Sequence, residues 1–253
     1  MSIGIVGYGH VGKAQKALFK DAIVYDKYLN IGSKKAINDC YVTFVSVPTP
    51  TVDGKCDTSI VEEVIDWVKS RYICILSTIP PYTTERLKRK YKKRIVFQPE
   101  YIGESVDHPL LDKVGRDFII LGGEREDCNA IIWAYQKVYN SSVKIRTLTS
   151  YEAEFVKYME NRAIAFKLGE VQEGYDLAKK LKIDWNVVRE AIYHDDPRMS
   201  PFWTFVYEED RGFHSSCIPK DIEAICALAK EYGYRMEITE KLLERNKKWR
   251  NKQ

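Results

Sequence analysis

Short apolar runs separated by helix-like segments make up the first 150 residues of the chain. The runs are rich in β-branched and aromatic residues and cover residues 2–6, 23–25, 41–47, 72–76, 95–97 and 118–121. Stretches between them, such as 59–70 and 83–93, have the apolar spacing of amphipathic helices. Near-continuous apolar strands that alternate with helices are typical of a parallel sheet covered on both faces. We therefore predict an α/β domain with a doubly wound parallel sheet.

The pattern changes to helices from about residue 149. Residues 150–182 contain no proline and are predicted to form one unusually long helix. Further helices are predicted at 185–193 and 219–232, and from about residue 237 onwards. The chain is thus expected to consist of an α/β domain over 1–148 and an all-helical domain over 149–253. Because so long a helix exposes apolar surface when unpaired, we expect it to form a homodimer interface.

A glycine-rich turn, GYGHVG at 7–12, joins the first apolar run to a helix-like segment. Gly7 would allow the tight turn, Gly9 the close approach of a pyrophosphate, and Gly12 the packing of helix on strand. Asp26 ends the second apolar run, where a carboxylate binds both ribose hydroxyls and repels a 2′-phosphate. This arrangement predicts a Rossmann-type domain that binds NAD rather than NADP.

Polar residues follow several of the predicted strands. Ligands of parallel sheets bind beyond the carboxyl ends of the strands, so Thr78 and Glu100 would open into one crevice. Glu104 would share the face of Glu100 if that loop is helical, whereas threonines and prolines after strands are also ordinary turn residues. The predicted cofactor-binding residues are Gly7, Gly9, His10, Val11, Gly12, Asp26, Pro48, Thr49 and Thr78.

Cys217 lies two residues before Pro219, which opens an apolar-periodic segment. Proline is favoured at the first helical position, so Cys217 is placed just before a helix N-terminus, where an anion is stabilised. A thiolate there would be a nucleophile, although cysteine is also common as a small buried apolar residue. Lys157 and Asn161, with Glu154, share one face of the long helix. That face is either functional or simply solvated.

Composition excludes several classes of function. The chain of 253 residues carries 40 basic and 36 acidic side chains, a net charge of +4 that does not indicate a nucleic-acid partner. Basic runs at 86–94 and 241–253 are interpreted as solvated helix faces or a frayed end, with a phosphate-rich partner as a distant alternative. Six cysteines without metal-ligand spacing predict reduced thiols and no metal site. Without a signal peptide or an apolar run of membrane length, we expect a cytoplasmic protein with no membrane partner.

Taken in order, the motifs resemble those of the UDP-glucose/GDP-mannose dehydrogenase family. They are GYGHVG, VPTPTVDGKCD, STIPP, QPEYIGES, TSYEAEFVKYMEN, DPR at 196–198 and GFHSSCIPKD. The resemblance implies a nucleotide-sugar substrate, UDP-glucose above all. Its C6 alcohol would be oxidised to a carboxylate by two NAD⁺ without a metal. The catalytic residues implied are Cys217, Lys157, Asn161, Asp221, Thr78, Glu100 and Glu104.

The resemblance also implies a role for each of these residues. Cys217 would attack the C6 aldehyde to give a thiohemiacetal, which becomes a thioester. Lys157 and Asn161 would stabilise the oxyanion, and Lys157 is a candidate for the first proton abstraction. Asp221, lying on the same side of the helix start as the thiol, would manage the hydrolytic water. Thr78 and Glu100 would act on this water together with Asp221, and Glu104 would be a supporting carboxylate.

Three departures from the family pattern stand out. His214 and Ser215 replace two glycines of the family motif G-F-G-G-S-C before the cysteine. His214 is then either a new catalytic or recognition group or an exposed side chain, and we favour the latter. Gln172 replaces the asparagine of an Asn–Glu pair in the long helix. The third, nucleotide-binding domain of the family is expected to be absent.

Two alternatives stay open. A two-electron hydroxyacid-type dehydrogenase also pairs a Rossmann domain with a helical domain that carries a lysine and an asparagine four residues apart, and it does not need Cys217. A non-catalytic relative that binds NAD or a sugar nucleotide would fit the altered cysteine loop.

Overall fold

The computed structural model describes residues 2–103, 117–139, 142–215 and 217–251. The chain divides into two compact units, Met1–Val52 with Cys56–Lys157, and Asp53–Lys55 with Tyr158–Gln253. Its strands are β1 (Ile3–Val6), β2 (Ile23–Tyr25), β3 (Val42–Val45), β4 (Thr51–Val52), β5 (Lys55–Cys56), β6 (Tyr72–Ile75), β7 (Ile95–Phe97), β8 (Phe118–Gly122) and β9 (Lys144–Leu148). Its helices are α1 (His10–Leu18), α2 (Lys34–Asn38), α3 (Ser59–Trp67), α4 (Thr83–Tyr91), α5 (Arg125–Tyr135), α6 (Ser150–Leu181), α7 (Trp185–Tyr193), α8 (Ile218–Glu231) and α9 (Glu237–Arg250).

Seven strands of the first unit form one sheet in the order β2-β1-β3-β6-β7-β8-β9. Neighbouring strands are parallel, except that β8 runs antiparallel to β7. Strands β4 and β5 pair only with each other. The sheet is doubly wound, as the sequence predicts, and it is parallel apart from the pairing of β8 with β7, which the sequence does not predict.

The strands of the first unit bury apolar side chains on both faces of the sheet. Successive side chains of a strand point to opposite faces, so Cys74 belongs to one apolar cluster and its neighbours Ile73 and Ile75 to the other. Helices α1 and α5 cover the first face, and α3 and α4 cover the second. Full burial of such a side chain contributes about 1.5–3 kcal/mol to stability. Because both faces of the sheet are buried, successive positions of each strand are apolar, and the strands appear in the sequence as continuous apolar runs.

The second unit is helical, as predicted. Helix α6 packs on α7 around Val171, Ala178 and Trp185. A Cβ added at Gly174 would lie 2.8 Å from the Trp185 ring, so glycine permits this close packing. In the described part of the chain, none of the helices is long and apolar enough to cross a membrane.

Ion pairs take up much of the charge of the two basic runs. Arg86 and Lys90 both pair with Glu62 on α3, and Arg250 on α9 pairs with Asp210. Exposed pairs of this kind contribute only about 0–1 kcal/mol each. Residues 86–91 of the first run lie in α4 and residues 241–250 of the second lie in α9, each within its own unit.

A buried carboxylate connects α4 to the start of α6 within the first unit. Glu154 is completely buried, and its Oε1 accepts hydrogen bonds from the backbone N and the Oγ1 of Thr84, at 2.7 and 2.6 Å. Its Oε2 has no hydrogen-bond partner among the described residues. Burial raises the pKa of Glu154 to about 7, although the Thr84 hydrogen bonds act in the opposite direction. The helix junction therefore contains a carboxyl that holds its proton in mildly acidic solution.

Replacing Glu154 with glutamine removes this titration and keeps an oxygen that can accept from Thr84. The folded-state pKa is raised from 4.5 to about 7, so across this window the folded protein binds the proton more tightly than the unfolded chain. Wild-type stability is therefore lost as the pH rises through the window. We expect the unfolding free energy of the wild type to fall relative to Glu154→Gln by about 3 kcal/mol between pH 4.5 and neutral pH, measured by urea unfolding.

Glu152 provides the matched control on the same helix. It is exposed, and hydrogen bonds from Thr149 lower its pKa. The unfolding free energy of the wild type measured relative to Glu152→Gln should not decline over the same pH window, because this variant keeps Glu154. A difference between wild type and Glu154→Gln that is constant with pH contradicts the prediction.

Candidate active site

The glycine turn after β1 has the geometry that a pyrophosphate requires. A Cβ on Gly7, whose φ is +90°, would lie 2.3 Å from the Ser46 carbonyl oxygen, and one on Gly12 would lie 2.0 Å from the Gly7 carbonyl oxygen. A Cβ on Gly9 would meet no atom within 4 Å. Gly7 and Gly12 are thus needed for packing, whereas Gly9 borders open space at the N-terminus of α1, where an anion is favoured. The residues present fit a dinucleotide.

Asp26 lies directly after β2, where the sequence predicts a ribose-binding carboxylate. Its Oδ2 accepts from the backbone N of Tyr8 at 2.8 Å, and its Oδ1 accepts from the backbone N of Tyr28 and of Leu29. Burial raises the pKa of Asp26, but these three hydrogen bonds outweigh it and hold the pKa below its ordinary value. The carboxylate therefore stays charged at neutral pH, and its remaining lone pairs can accept from ribose hydroxyls.

The other predicted cofactor-binding residues lie at the carboxyl ends of parallel strands or in the first turn of α1. His10 and Val11 begin α1, and the His10 Nε2 is 2.9 Å from the Gly103 carbonyl oxygen. Pro48 is exposed and Thr49 is buried after β3. Thr78, after β6, accepts at its carbonyl oxygen from the Cys56 Sγ at 3.6 Å. Serine side chains hold neighbouring strand ends together, since the Ser77 Oγ bonds both the N and the O of Val47.

Glu100 and Lys157 lie in the first unit. Glu100 is buried after β7, and its Oε1 accepts from the backbone N of Tyr101 and of Ile102 at 2.8 and 3.2 Å. The Lys157 Nζ lies 5.2 Å from the centre of the Tyr101 ring. The structure therefore brings Lys157 next to the segment that carries Glu100. Glu104 lies outside the described residues.

Cys217 is the N-cap residue of α8, with Pro219 in the first turn, as the sequence predicts. Its side chain is exposed, and its carbonyl oxygen accepts from the backbone N of Asp221 at 3.1 Å. Ser215 accepts at its Oγ from the backbone N of Ile218 at 3.1 Å. The thiol therefore lies at the N-terminus of a helix. Ser215 accepts a hydrogen bond from one of the N–H groups that have no intrahelical partner there.

Asp221 lies one turn into α8 and is 1% exposed. The Asn161 Nδ2 donates to its Oδ2 at 2.6 Å, and the Lys220 Nζ donates to its Oδ1 at 2.5 Å. The structure therefore joins Asn161 and Asp221 directly. Asp221 is buried whereas Cys217 is exposed, and a backbone hydrogen bond of the first helical turn joins the two residues.

The predicted catalytic residues are divided between the two units. Thr78, Glu100 and Lys157 belong to the first, and Asn161, Asp221 and Cys217 belong to the second. Helix α6 carries both Lys157 and Asn161, four residues apart on one face.

The departures from the family motif have structural partners of their own. His214 is exposed, and its Nε2 is 2.7 Å from the Asp210 Oδ2. Gln172 is buried, and its Oε1 accepts from the Arg211 Nε at 2.5 Å.

Sequence reasoning missed Asn246 and Arg211, which hold the loop before Cys217. Asn246 is buried in α9 and bonds the backbone of Phe213. One signal was present, because Asn246 falls four residues after Leu242 and three before Trp249, on the apolar face of an otherwise basic helix. A polar side chain on such a face needs a hydrogen-bond partner.

Comparison with known proteins agrees with this geometry. Residues 15–143 match the NAD binding domain of the UDP-glucose/GDP-mannose dehydrogenase family, and residues 151–248 match its central domain. The first unit therefore corresponds to a domain that binds NAD, as predicted.

Two bacterial relatives show the extent of the match. The chain is 28% identical to a putative UDP-glucose 6-dehydrogenase, YtcA, of Bacillus subtilis, over 83% of this chain and 52% of that protein. It is 27% identical to the UDP-glucose 6-dehydrogenase of Pseudomonas aeruginosa, over 84% of this chain and 49% of that protein. The chain thus spans about half the length of the curated relatives it matches.

Solved structures share the fold. A UDP-glucose dehydrogenase from Pyrobaculum islandicum superposes with a TM-score of 0.82 at 25% identity, covering 97% of this chain and 68% of that one. A UDP-D-ManNAc dehydrogenase from Pyrococcus horikoshii gives 0.81 at 19% identity, covering 98% and 69%. With both of its domain models matched over most of the sequence, the chain belongs to the UDP-glucose/GDP-mannose dehydrogenase family.

Proposed function

We propose that the protein oxidises the C6 alcohol of a nucleotide sugar, UDP-glucose, to a carboxylate with two NAD⁺. The observation that carries the proposal is the exposed Cys217 at the N-cap of α8 in a chain that also has an NAD-binding domain. Two relatives named UDP-glucose 6-dehydrogenase support the choice of substrate. NAD⁺, when bound, supplies the acceptor for the hydride of each oxidation.

The first two-electron step makes an aldehyde. A base takes the proton of the C6 hydroxyl while a hydride leaves C6, and Lys157 is the base we propose. The Cys217 sulfur then adds to the aldehyde carbon, and the carbonyl oxygen becomes the oxyanion of a thiohemiacetal. Lys157 and the Asn161 amide stabilise that oxyanion as a cation and a hydrogen-bond donor.

The second two-electron step makes a thioester and then the acid. Loss of a second hydride from C6 leaves a thioester on Cys217. Water attacks its carbonyl carbon, the carbon–sulfur bond breaks, and the thiol and the carboxylate are released. We assign the handling of this water to Asp221, Thr78 and Glu100.

The number of NADH molecules formed per sugar tests this reaction. With limiting UDP-glucose and excess NAD⁺, we expect two NADH per sugar and a uronic acid product. Cys217→Ser cannot form the thioester, so acid formation should fall by about 1,000-fold or more. Absorbance and product chromatography give both quantities.

Other outcomes point to the alternatives. One NADH per sugar, with Cys217→Ser still active, indicates a two-electron dehydrogenase. Absence of turnover in a sample that binds NAD⁺ indicates a different substrate or a non-catalytic relative.

The contrast between two glycines tests the cofactor site. A Cβ on Gly9 enters open space at the N-terminus of α1, where we place the pyrophosphate. Gly9→Ala should raise the Kd for NAD⁺ by about tenfold, about 1.4 kcal/mol, without changing stability. Gly12→Ala forces a Cβ against the Gly7 carbonyl and should instead destabilise the fold by about 1–3 kcal/mol. Calorimetric titration and thermal unfolding separate the two effects, and equal effects of both variants on stability count against the site.

We also infer that α6 takes part in a homodimer. Leu177 and Leu181 are each 59% exposed and lie four residues apart on this helix, so they form an apolar stripe that association would cover. Light scattering should give twice the monomer mass, and Leu177→Asp with Leu181→Asp should give the monomer. A monomeric wild type at micromolar concentration contradicts the inference.

A further inference from the structure

The loop that leads to Cys217, residues 210–215, is fastened to the C-terminal helix α9. The Asn246 Oδ1 accepts from the backbone N of Phe213 at 2.8 Å, and the Asn246 Nδ2 donates to the Phe213 carbonyl oxygen at 2.9 Å. Asn246 is 6% exposed and Phe213 is 3% exposed. One side chain thus satisfies both backbone groups of a buried loop residue, which would otherwise lack partners.

The residue before Phe213 shows how closely the loop approaches α9. Gly212 has φ +79°, and a Cβ there would lie 2.4 Å from the Asn246 Oδ1. The Phe213 ring packs in an apolar cluster with Ala165 of α6 and Ile222 of α8. The position of the loop is therefore set by Asn246 on one side and by the core of the second unit on the other.

Two further residues, Arg211 and Asp210, fix the loop upstream of Phe213. Arg211 donates to the Gln172 Oε1 at 2.5 Å and to the Asp176 Oδ1 at 2.7 Å, both on α6. Asp210 accepts from Arg250 of α9 at 2.5 Å. Only three residues separate Phe213 from Cys217, so a displacement of Phe213 is passed on to the thiol. A misplacement of about 1 Å at a reacting group can cost about 100-fold in rate.

We propose that Asn246 is a positioning residue for Cys217, acting through the Phe213 backbone; the proposal rests on the function proposed above. Asn246 makes two hydrogen bonds to the Phe213 backbone. It holds the segment from which the thiol projects, and it does so from a helix that begins twenty residues after the cysteine. The role therefore belongs to the cysteine chemistry and not to the binding of NAD⁺.

Three variants test the role of Asn246. Asn246→Ala removes both hydrogen bonds to Phe213. Asn246→Asp keeps the acceptor for the Phe213 amide but replaces the donor with a carboxylate oxygen that faces the Phe213 carbonyl oxygen. Thr239→Ala is the matched control on the same helix, because the buried Thr239 Oγ1 accepts from the Arg162 Nε of α6 at 2.9 Å and lies outside the Phe213 contacts. It removes a buried contact of α9 without touching the loop.

Hydrogen exchange provides a readout that does not need turnover. In Asn246→Ala, exchange of a peptide covering 210–217 should rise by about tenfold or more, while a peptide covering 218–231 keeps its protection. Asn246→Asp should also raise the exchange of the loop peptide above that of the wild type. Thr239→Ala should leave the loop peptide protected.

Steady-state kinetics provide the second readout. We expect kcat for acid formation to fall by about 100-fold in Asn246→Ala and to fall in Asn246→Asp as well, with the KM for NAD⁺ unchanged in both. Thr239→Ala should keep the wild-type kcat.

The outcomes separate the two proposals. Faster exchange throughout the second unit in Asn246→Ala, or the same kinetic loss in Thr239→Ala, assigns Asn246 a merely structural role and overturns the inference. An unchanged kcat despite a loosened loop overturns it as well. If the wild type shows no turnover but exchange of the loop peptide rises only in the Asn246 variants, the proposed function is refuted. The inference that Asn246 holds the cysteine loop then stands.

Discussion

The buried carboxylate of Asp221 imposes the main constraint on the second unit. A carboxylate removed from water is costly unless it is paired and hydrogen-bonded, and Asp221 obtains partners from Asn161 on α6 and from its neighbour Lys220. Because Asn161 lies on another helix, its hydrogen bond to Asp221 constrains how α8 docks on α6. Cys217 is the N-cap of that same helix, so satisfying the buried charge also determines where the thiol emerges.

The first unit brings backbone N–H groups and polar side chains to one edge of its sheet. Parallel strands end on the same side, and the turn after β1 can pass close to β3 only because Gly7 and Gly12 lack side chains. Asp26 is held in place by three backbone amides, which keep it charged as well as oriented. The edge of the sheet is therefore organised mostly by main-chain atoms, and few side chains need to be specified.

Many elements of the fold could be predicted from the sequence, above all the strands that are buried on both faces of the sheet. Strands β1, β3, β6 and β7 are buried on both faces and appear as apolar runs. The predicted ends of α6, α7 and α8 and the predicted start of α9 lie within two residues of those observed. Strand β9 was missed because it lies at the sheet edge and is mostly exposed, with the sequence KIRTL. The short β4–β5 pair was missed because two-residue strands carry no periodic signal. The antiparallel direction of β8 also has no local signal.

The candidate site was predictable to a different extent. Glycine spacing and the Cys–Pro–Asp order are local patterns, so Gly7, Gly9, Gly12, Cys217 and Asp221 could be chosen from the sequence. The partners of the cysteine loop could not, because Asn246 meets Phe213 across 33 residues of chain. Gln172, noted only as a departure from the family pattern, proved to be the acceptor for Arg211. Such contacts depend on helix docking, which single-sequence patterns do not encode.

The hold of α9 on the cysteine loop has a consequence for the order of events during synthesis. A ribosome adds about 5–20 residues per second and domains fold as units, so Cys217 leaves the ribosome before Asn246 and Arg250 exist outside it. The loop cannot acquire its backbone partners until the last helix of the unit has emerged and docked. Until then the segment that carries Cys217 lacks its hydrogen bonds to α9. The surroundings of the thiol are therefore among the last parts of the unit to form.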